Sequence, residues 1–222
     1  MEAVKCRIKG SDYVGVFATA TDKFVFVGGG LAERSKETIA AALGVRLVEL
    51  SLSGSDLVGL FSRANSNGIV LSNLVQDEEV DAIKSMGLGI NVAVIDSDLN
   101  AVGNNVLVND RIAMVNVDYE PKAVKQIGDV LGVEVVKARV GNFKTIGAND
   151  IMTNKGFVVS NRITDADKKR LDGMSGFDSI RTTANTGSLY VGLAAVANSK
   201  GVVVGESTTG YELERIINGL EQ

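Results

Sequence analysis

Apolar and polar positions recur along this chain in one phrase, five times over. An aliphatic residue and a glycine open it, a short run and a polar turn follow, and a dense apolar segment comes next. The openings are Val14-Gly15, Val58-Gly59, Val102-Gly103, Ile146-Gly147 and Val191-Gly192, with their glycines 44, 44, 44 and 45 residues apart. Seven residues after each glycine stands a turn former: Asp22, Ser66, Asp110, Asn154 and Ser199. Apolar runs then follow in register at 24–27, 69–71, 112–115, 157–159 and 202–204. A period of 20 to 50 residues marks a repeat architecture.

After each apolar run the spacing changes from strand-like to helical. Stripes at 3.6-residue spacing run through Ile39 and Leu43, through Val80, Ile83 and Met86, through Val124, Ile127 and Leu131, through Ala166 and Leu171, and through Leu213, Ile216, Ile217 and Leu220. Ser35 is positioned to cap the first of these helices, Thr164 with Asp167 and Thr209 with Glu212 read as capping boxes, and Pro121 suits a first helical turn. Gly44, Gly89, Gly132 and Gly176 close four of the helices, and third strands are expected at 45–50, 90–95, 133–138 and 177–182. Each unit therefore reads strand, turn, strand, helix, strand.

The fifth unit ends without its third strand, while residues 3–8 precede the first anchor as an orphan strand. An open array would leave unpaired strand edges, and closure of a ring removes them. The pattern predicts an α/β fold in one domain spanning 1–222: a five-fold pseudosymmetric propeller of five ββαβ repeats. Their approximate bounds are 12–55, 56–100, 101–144, 145–188 and 189–222 with 1–11. Strands lie inside, helices outside, and the N-terminal strand closes the fifth blade.

Composition narrows the chemistry. The chain has no histidine and one cysteine, Cys6. Histidine-dependent triads and most catalytic zinc sites are excluded, and Cys6, between Lys5 and Arg7 in the closing strand, reads as a small strand residue. Gly28-Gly29-Gly30 lacks the Lys-Ser or Lys-Thr that a phosphate-binding loop requires. Asp12 and Asp56 stand in equivalent Gly-Ser-Asp turns and could face one another across a pore mouth, although aspartate is ordinary in turns. No cofactor or metal is expected. Net charge is −4, which argues against an extended nucleic-acid groove and suits a basic protein partner. No apolar run approaches a membrane span, and a cytoplasmic protein is expected.

In a pseudosymmetric ring, a site for an asymmetric partner should lie where the units differ. The two residues after each anchor glycine are Val16-Phe17, Leu60-Phe61, Asn104-Asn105, Ala148-Asn149 and Leu193-Ala194. Three asparagines in otherwise apolar columns read either as a polar surface patch for docking or as a sector that simply faces water.

The whole chain resembles the archaeal translation initiation factor 6 family. The resemblance runs through Leu57-Val58-Gly59, Asn65-Ser66-Asn67-Gly68, Ala101-Val102-Gly103-Asn104 and Thr153-Asn154-Lys155-Gly156. It is densest through Ala197-Asn198-Ser199-Lys200-Gly201 and from Gly205-Glu206-Ser207 to Glu212-Leu213. It implies the pentein fold and an anti-association factor, not an enzyme. Such a factor binds the intersubunit face of the large (50S) ribosomal subunit, chiefly through ribosomal proteins near the sarcin–ricin loop with limited rRNA contact. It acts as a monomer and sterically blocks the small subunit, with a role in large-subunit maturation. The family's contact asparagine matches Asn104. A second contact position is Leu60, where eukaryotic members carry arginine, and nearby Arg63 is the candidate to supply charge instead. Ser72-Asn73 and Ser160-Asn161 stand where many relatives have proline, and the eukaryotic C-terminal tail has no counterpart. The expected ribosome-binding set is Asn104, Asn105, Asn149, Leu60, Arg63 and Asn65. Two other readings are a ring-shaped protein-binding scaffold without ribosome contact and a pentein guanidine-modifying enzyme, the latter disfavoured by the absence of histidine.

Overall fold

The computed structural model describes residues 1–222. Five three-stranded sheets form in chain order, and every one repeats the same topology. In the first, Ala18–Ala20 pairs antiparallel with Phe24–Gly28, which pairs parallel with Arg46–Leu50. The other sheets place Gly68–Leu71, Ile112–Asn116, Phe157–Ser160 and Gly201–Gly205 in the same middle position. A strand bonded on both edges and covered on both faces can be apolar throughout, and the middle strands read FVFVG, GIVL, IAMVN, FVVS and GVVVG. A parallel return within the chain needs a crossover, and a helix supplies it in the first four blades.

The ring closes at its termini. Glu2–Cys6 pairs parallel with Gly201–Gly205, Glu2 opposite Gly201 and Cys6 opposite Gly205. The orphan strand therefore supplies the outer strand of blade five. Beside it, the N-terminal ammonium of Met1 pairs with Glu221.

The blades share cores with their neighbours. Five apolar clusters occur, each spanning two adjacent blades. Phe26, Val48 and Leu50 of blade one meet Ile69 and Leu71 of blade two, for example, and Leu107 and Met114 of blade three meet Phe157 and Val159 of blade four. The outer helices join in the same sense. Ile39 and Leu43 of Glu33–Leu43 lie against Val203 of blade five, Ile127 and Leu131 of Pro121–Leu131 against Val70 of blade two, and Ile216 and Leu220 of Gly210–Leu220 against Val158 of blade four. Each helix thus buries its stripe on the blade that precedes its own.

Local details confirm some cap readings and correct others. Thr164 and Thr209 accept from the amides of Asp167 and Glu212, and Pro121 opens its helix. Gly44, Gly132 and Gly176 end their helices in the left-handed conformation. Ser35, however, lies inside the first turn of Glu33–Leu43, with Ala32 at the cap position. Helix Asp77–Ser85 ends with Met86 at its C-cap, so Gly89 closes no helix. Glu79 was not singled out from sequence, yet its carboxylate accepts from the amides of Ser53, Gly54 and Gln76, fastening that helix to the turn before anchor two. The anchors themselves form single helical turns: Val14–Val16, Val58–Phe61, Val102–Asn105, Ile146–Asn149 and Val191–Ala194.

Candidate docking face and central channel

The anchor glycines form a ring. A β-carbon on Gly15, Gly59, Gly103, Gly147 or Gly192 would overlap the carbonyl oxygen of the preceding anchor glycine, in the cyclic order 192, 15, 59, 103, 147. Backbone packed this closely around a five-fold centre admits no side chain, which explains the glycine at the head of every repeat. From this ring the inner strands run inward side by side and line a central channel.

At the far end of the channel the turn formers line it with a polar belt. Asp110 accepts from the Ser66 amide and hydroxyl, both at 2.7 Å. Asn154 Oδ1 accepts from the Asp110 amide at 2.8 Å, and its Nδ2 donates to Asp110 Oδ2 at 2.7 Å and to Asp22 Oδ2 at 2.8 Å. Asp22 accepts from the Ser199 amide and hydroxyl at 2.8 and 2.7 Å. Burial alone would raise the Asp22 carboxyl, but these Ser199 and Asn154 donors outweigh it and hold it below the usual carboxylate range. A second layer lies beneath, where Asn65, Asn109 and Asn198 donate from Nδ2 to the carbonyls of Asn109, Thr153 and Thr21.

The six residues singled out from sequence do not form one patch. Asn104 and Leu60 are half-buried on the anchor-end rim. The Asn104 side-chain oxygen has no partner in the chain. Asn105 and Asn149 are buried, 5% and 0% exposed. Asn105 donates to Ala101 O and accepts from Asn116, while Asn149 accepts from Thr145 and donates to Leu189 O. Asn65 is also buried, at the opposite end, bonded to Asn109 O and Leu131 O. Arg63 points into the channel, where its Nη2 donates to Gly103 O and Gly147 O and its Nε has no partner. The polar surface patch expected over units three and four is therefore corrected: of its three asparagines only Asn104 lies at the rim, and Ala148, beside Asn149, is buried as well.

Beside the exposed ion pairs of Arg7 with Asp12 and Lys144 with Asp118, the anchor end exposes apolar side chains. Tyr13 and Tyr190 are 38% and 42% exposed, the Tyr13 hydroxyl reaches Ser188 Oγ at 3.3 Å, and Phe143 meets the Tyr190 ring edge-on at 6.3 Å. Leu57, Leu60, Val16 and Leu193 are half-buried around them. An apolar arc thus crosses units five, one and two, with Asn104 continuing the rim on unit three. The signal was present in sequence two positions before each glycine, where Tyr13, Leu57, Ala101, Thr145 and Tyr190 stand.

The remaining candidates for chemistry are occupied. Asp12 accepts from Arg7 Nε at 3.0 Å and Ser207 Oγ at 2.6 Å, and Asp56 pairs with Lys9. These partners hold both carboxyls below their usual range, so the turns present two separately paired carboxylates and no shared acid–base dyad. Burial, with Glu206 nearby, pushes the Cys6 thiol up to about 11, which keeps it protonated. Asp150 is a buried acid that sequence reasoning passed over. Its Oδ1 accepts from the Ser160 amide at 2.9 Å, its Oδ2 has no partner, and burial raises its carboxyl well above the usual range.

Comparison with known structures defines the class. A crystal structure of dimethylarginine dimethylaminohydrolase, as an adduct with S-methyl-L-thiocitrulline, superposes with a TM-score of 0.50 at 10% identity. It covers 99% of this chain and 95% of that one, and the likeness is of fold alone: a pentein ring. The family follows from sequence. A model of the eIF-6 family matches residues 3–219, and the chain belongs to that family. Translation initiation factor 6 of Pyrococcus horikoshii is 36% identical, covering 99% of both chains. Those of Thermococcus onnurineus and Picrophilus torridus are each 35% identical, over 99% and 96% of this chain and 98% and 96% of their own. No helix is long and apolar enough to cross a membrane.

Proposed function

We propose that this chain is a cytoplasmic, monomeric ribosome anti-association factor. It docks by its anchor end on the large (50S) subunit, mainly on ribosomal proteins near the sarcin–ricin loop, and sterically prevents joining of the small subunit, with a further role in large-subunit maturation. It does so without catalysis. The observation that carries the reading, beside family membership, is the anchor-end face itself: exposed Tyr13 and Tyr190 beside the half-buried Leu60 and Asn104 rim. Contiguous exposed apolar surface on a folded domain marks an interaction site, and aromatic residues commonly anchor such interfaces. The Asn104 carboxamide stands at this rim, and its side-chain oxygen, like that of Asn100, is buried without a partner within the chain.

Binding is therefore assigned to Asn104, Leu60 and the tyrosines, while Asn105, Asn149 and Asn65 hold the fold and Arg63 acts inside the channel. Sucrose-gradient co-sedimentation with purified 50S subunits tests this. Asn104→Lys places bulk and positive charge against a basic partner and should weaken binding more than Asn104→Ala. The matching control is Lys169→Glu, since Lys169 is exposed on an outer helix, whereas Lys168 already bridges Asp172 and Asp178. Equal sedimentation of wild type and Asn104→Lys would move the interface elsewhere. Absence of co-sedimentation by the wild type would leave a ring scaffold without ribosome contact.

A further inference from the structure

The anchor half of the channel holds a chamber of about 30 Å³. Its wall comes from the inner strands of all five blades, largely Ala18, Ala20, Val108, Ala195 and Ala197 with Leu107, Ile151 and Met152. One cation projects into this apolar wall. In the column where Arg63 stands, the other units carry Thr19, Leu107, Ile151 and Val196. The Arg63 hydrogen bonds go to the carbonyls of Gly103 and Gly147, not to a carboxylate, and its Nε is buried without a partner. Burial lowers the guanidinium to about 10, so it keeps its charge at neutral pH.

A guanidinium has five donors and no acceptor, and a desolvated charge is tolerated when it is paired and its donors are met. The one acidic side chain on the same wall is Asp150. Its Oδ1 is turned to the Ser160 amide, its Oδ2 has no partner and makes no bond to Arg63, and burial favours its neutral form. It is therefore a poor counter-ion. Carbonyl dipoles satisfy hydrogen bonds without balancing the charge. The chamber exceeds the roughly 10–15 Å³ that one water needs, yet a tetrahedral oxyanion would require several more donors than this wall offers. Its far exit is lined by the Asp22, Asn154 and Asp110 belt, whose carboxylates disfavour entry of anions from that side.

We propose that the central channel is a binding site for one small monovalent anion of the halide class, held by the guanidinium of Arg63. The anion balances the charge that the fold encloses and meets the unpartnered Nε. The site is independent of whatever docks on the anchor face. It stabilises the closed ring by mass action, because it exists only when all five blades have assembled.

Two measurements test it on the full chain. In crystals grown or soaked in bromide, anomalous scattering should place a bromide in the chamber beside Arg63, displaced by excess chloride. In solution, the urea midpoint of wild type should rise with chloride at ionic strength held constant with gluconate. Arg63→Met should lose that dependence. Should Arg63→Met fail to fold, the bromide signal in wild type still decides. A chamber without halide, or a chloride dependence unchanged in Arg63→Met, overturns the site. A dependence that appears only in Asp150→Asn would make Asp150 the native counter-ion and likewise overturn it.

Discussion

The amide of Asn116 donates to the side-chain oxygen of Asn105 at 2.7 Å, joining the anchor turn of blade three to the end of its middle strand. Both residues are buried; the Asn105 column is apolar in units one, two and five and asparagine again in unit four, and the Asn116 column carries only glycine or serine elsewhere. The asparagine that looked like surface from the sequence is thus half of an internal clasp. Asn105→Ala leaves the Asn116 amide without its acceptor and should cost about 1–3 kcal/mol. Urea unfolding measures this, and 50S binding per folded molecule should be unchanged. A variant of native stability with impaired binding would return Asn105 to the interface.

Gly103 tests the glycine ring. An alanine there overlaps the Gly59 carbonyl, which belongs to packed backbone and cannot swing aside. Gly103→Ala should destabilise by about 1–3 kcal/mol or prevent folding. Gly173, inside helix Asp165–Ser175 with open space around it, is the contrast. Gly173→Ala should stabilise by up to about 1 kcal/mol through helix propensity. Thermal unfolding of the two variants in opposite directions supports the ring; equal effects refute it.

Closure of blade five depends on the first strand. Deleting residues 1–8 removes the pairing with Gly201–Gly205 and takes Val4 and Ile8 from the cluster shared by blades five and one. Each fully buried aliphatic side chain is worth about 1.5–3 kcal/mol. The truncated chain should unfold at markedly lower urea or lose cooperativity. An unchanged transition would show that the ring does not need this strand.

Acid should open the polar belt. The folded-state pKa of Asp22 lies below its unfolded value, near 3.9. Its contribution is therefore complete above about pH 4 and lost as pH falls through the folded value. Glu212 behaves in the same sense: burial would raise it, but Thr183, Thr209 and the Gly187 amide hold it down. Asp22→Asn should be less stable than wild type at pH 7, with the difference narrowing toward pH 3. A gap constant across that range would mean that Asp22 does not act through its charge.

Much of the architecture was legible in one dimension. The 44-residue phrase, the alternation of strand and helix patterns, the missing fifth outer strand and the orphan at 3–8 led to a closed five-bladed ring, and the pairing of Glu2–Cys6 with Gly201–Gly205 bears out that closure. These features are local or periodic, and periodicity survives in sequence because every unit solves the same packing problem. Glycine at each anchor was readable as a rule, although its reason, the carbonyl of a glycine 44 residues away, was not.

The side chains that break the symmetry are where the sequence stopped informing. A residue two places after an anchor glycine faces inward or outward according to a one-turn helix that the apolar pattern does not announce. Asn104 and Asn105 are adjacent and look alike, yet one lies on the rim and the other bonds Asn116 in the core. Asn65 and Leu60 seemed neighbours, but the inner strand carries them to opposite ends of the channel. Arg63 read as a substitute surface charge, and its partners turned out to be Gly103 and Gly147, carbonyls of two other blades. The number of blades and the closure of the ring follow from patterns within one repeat length, and those can be read in one dimension. Which polar groups are spent inside emerges in three dimensions, because their partners come from other blades or other parts of the same blade and their burial is set by neighbours that no local pattern encodes.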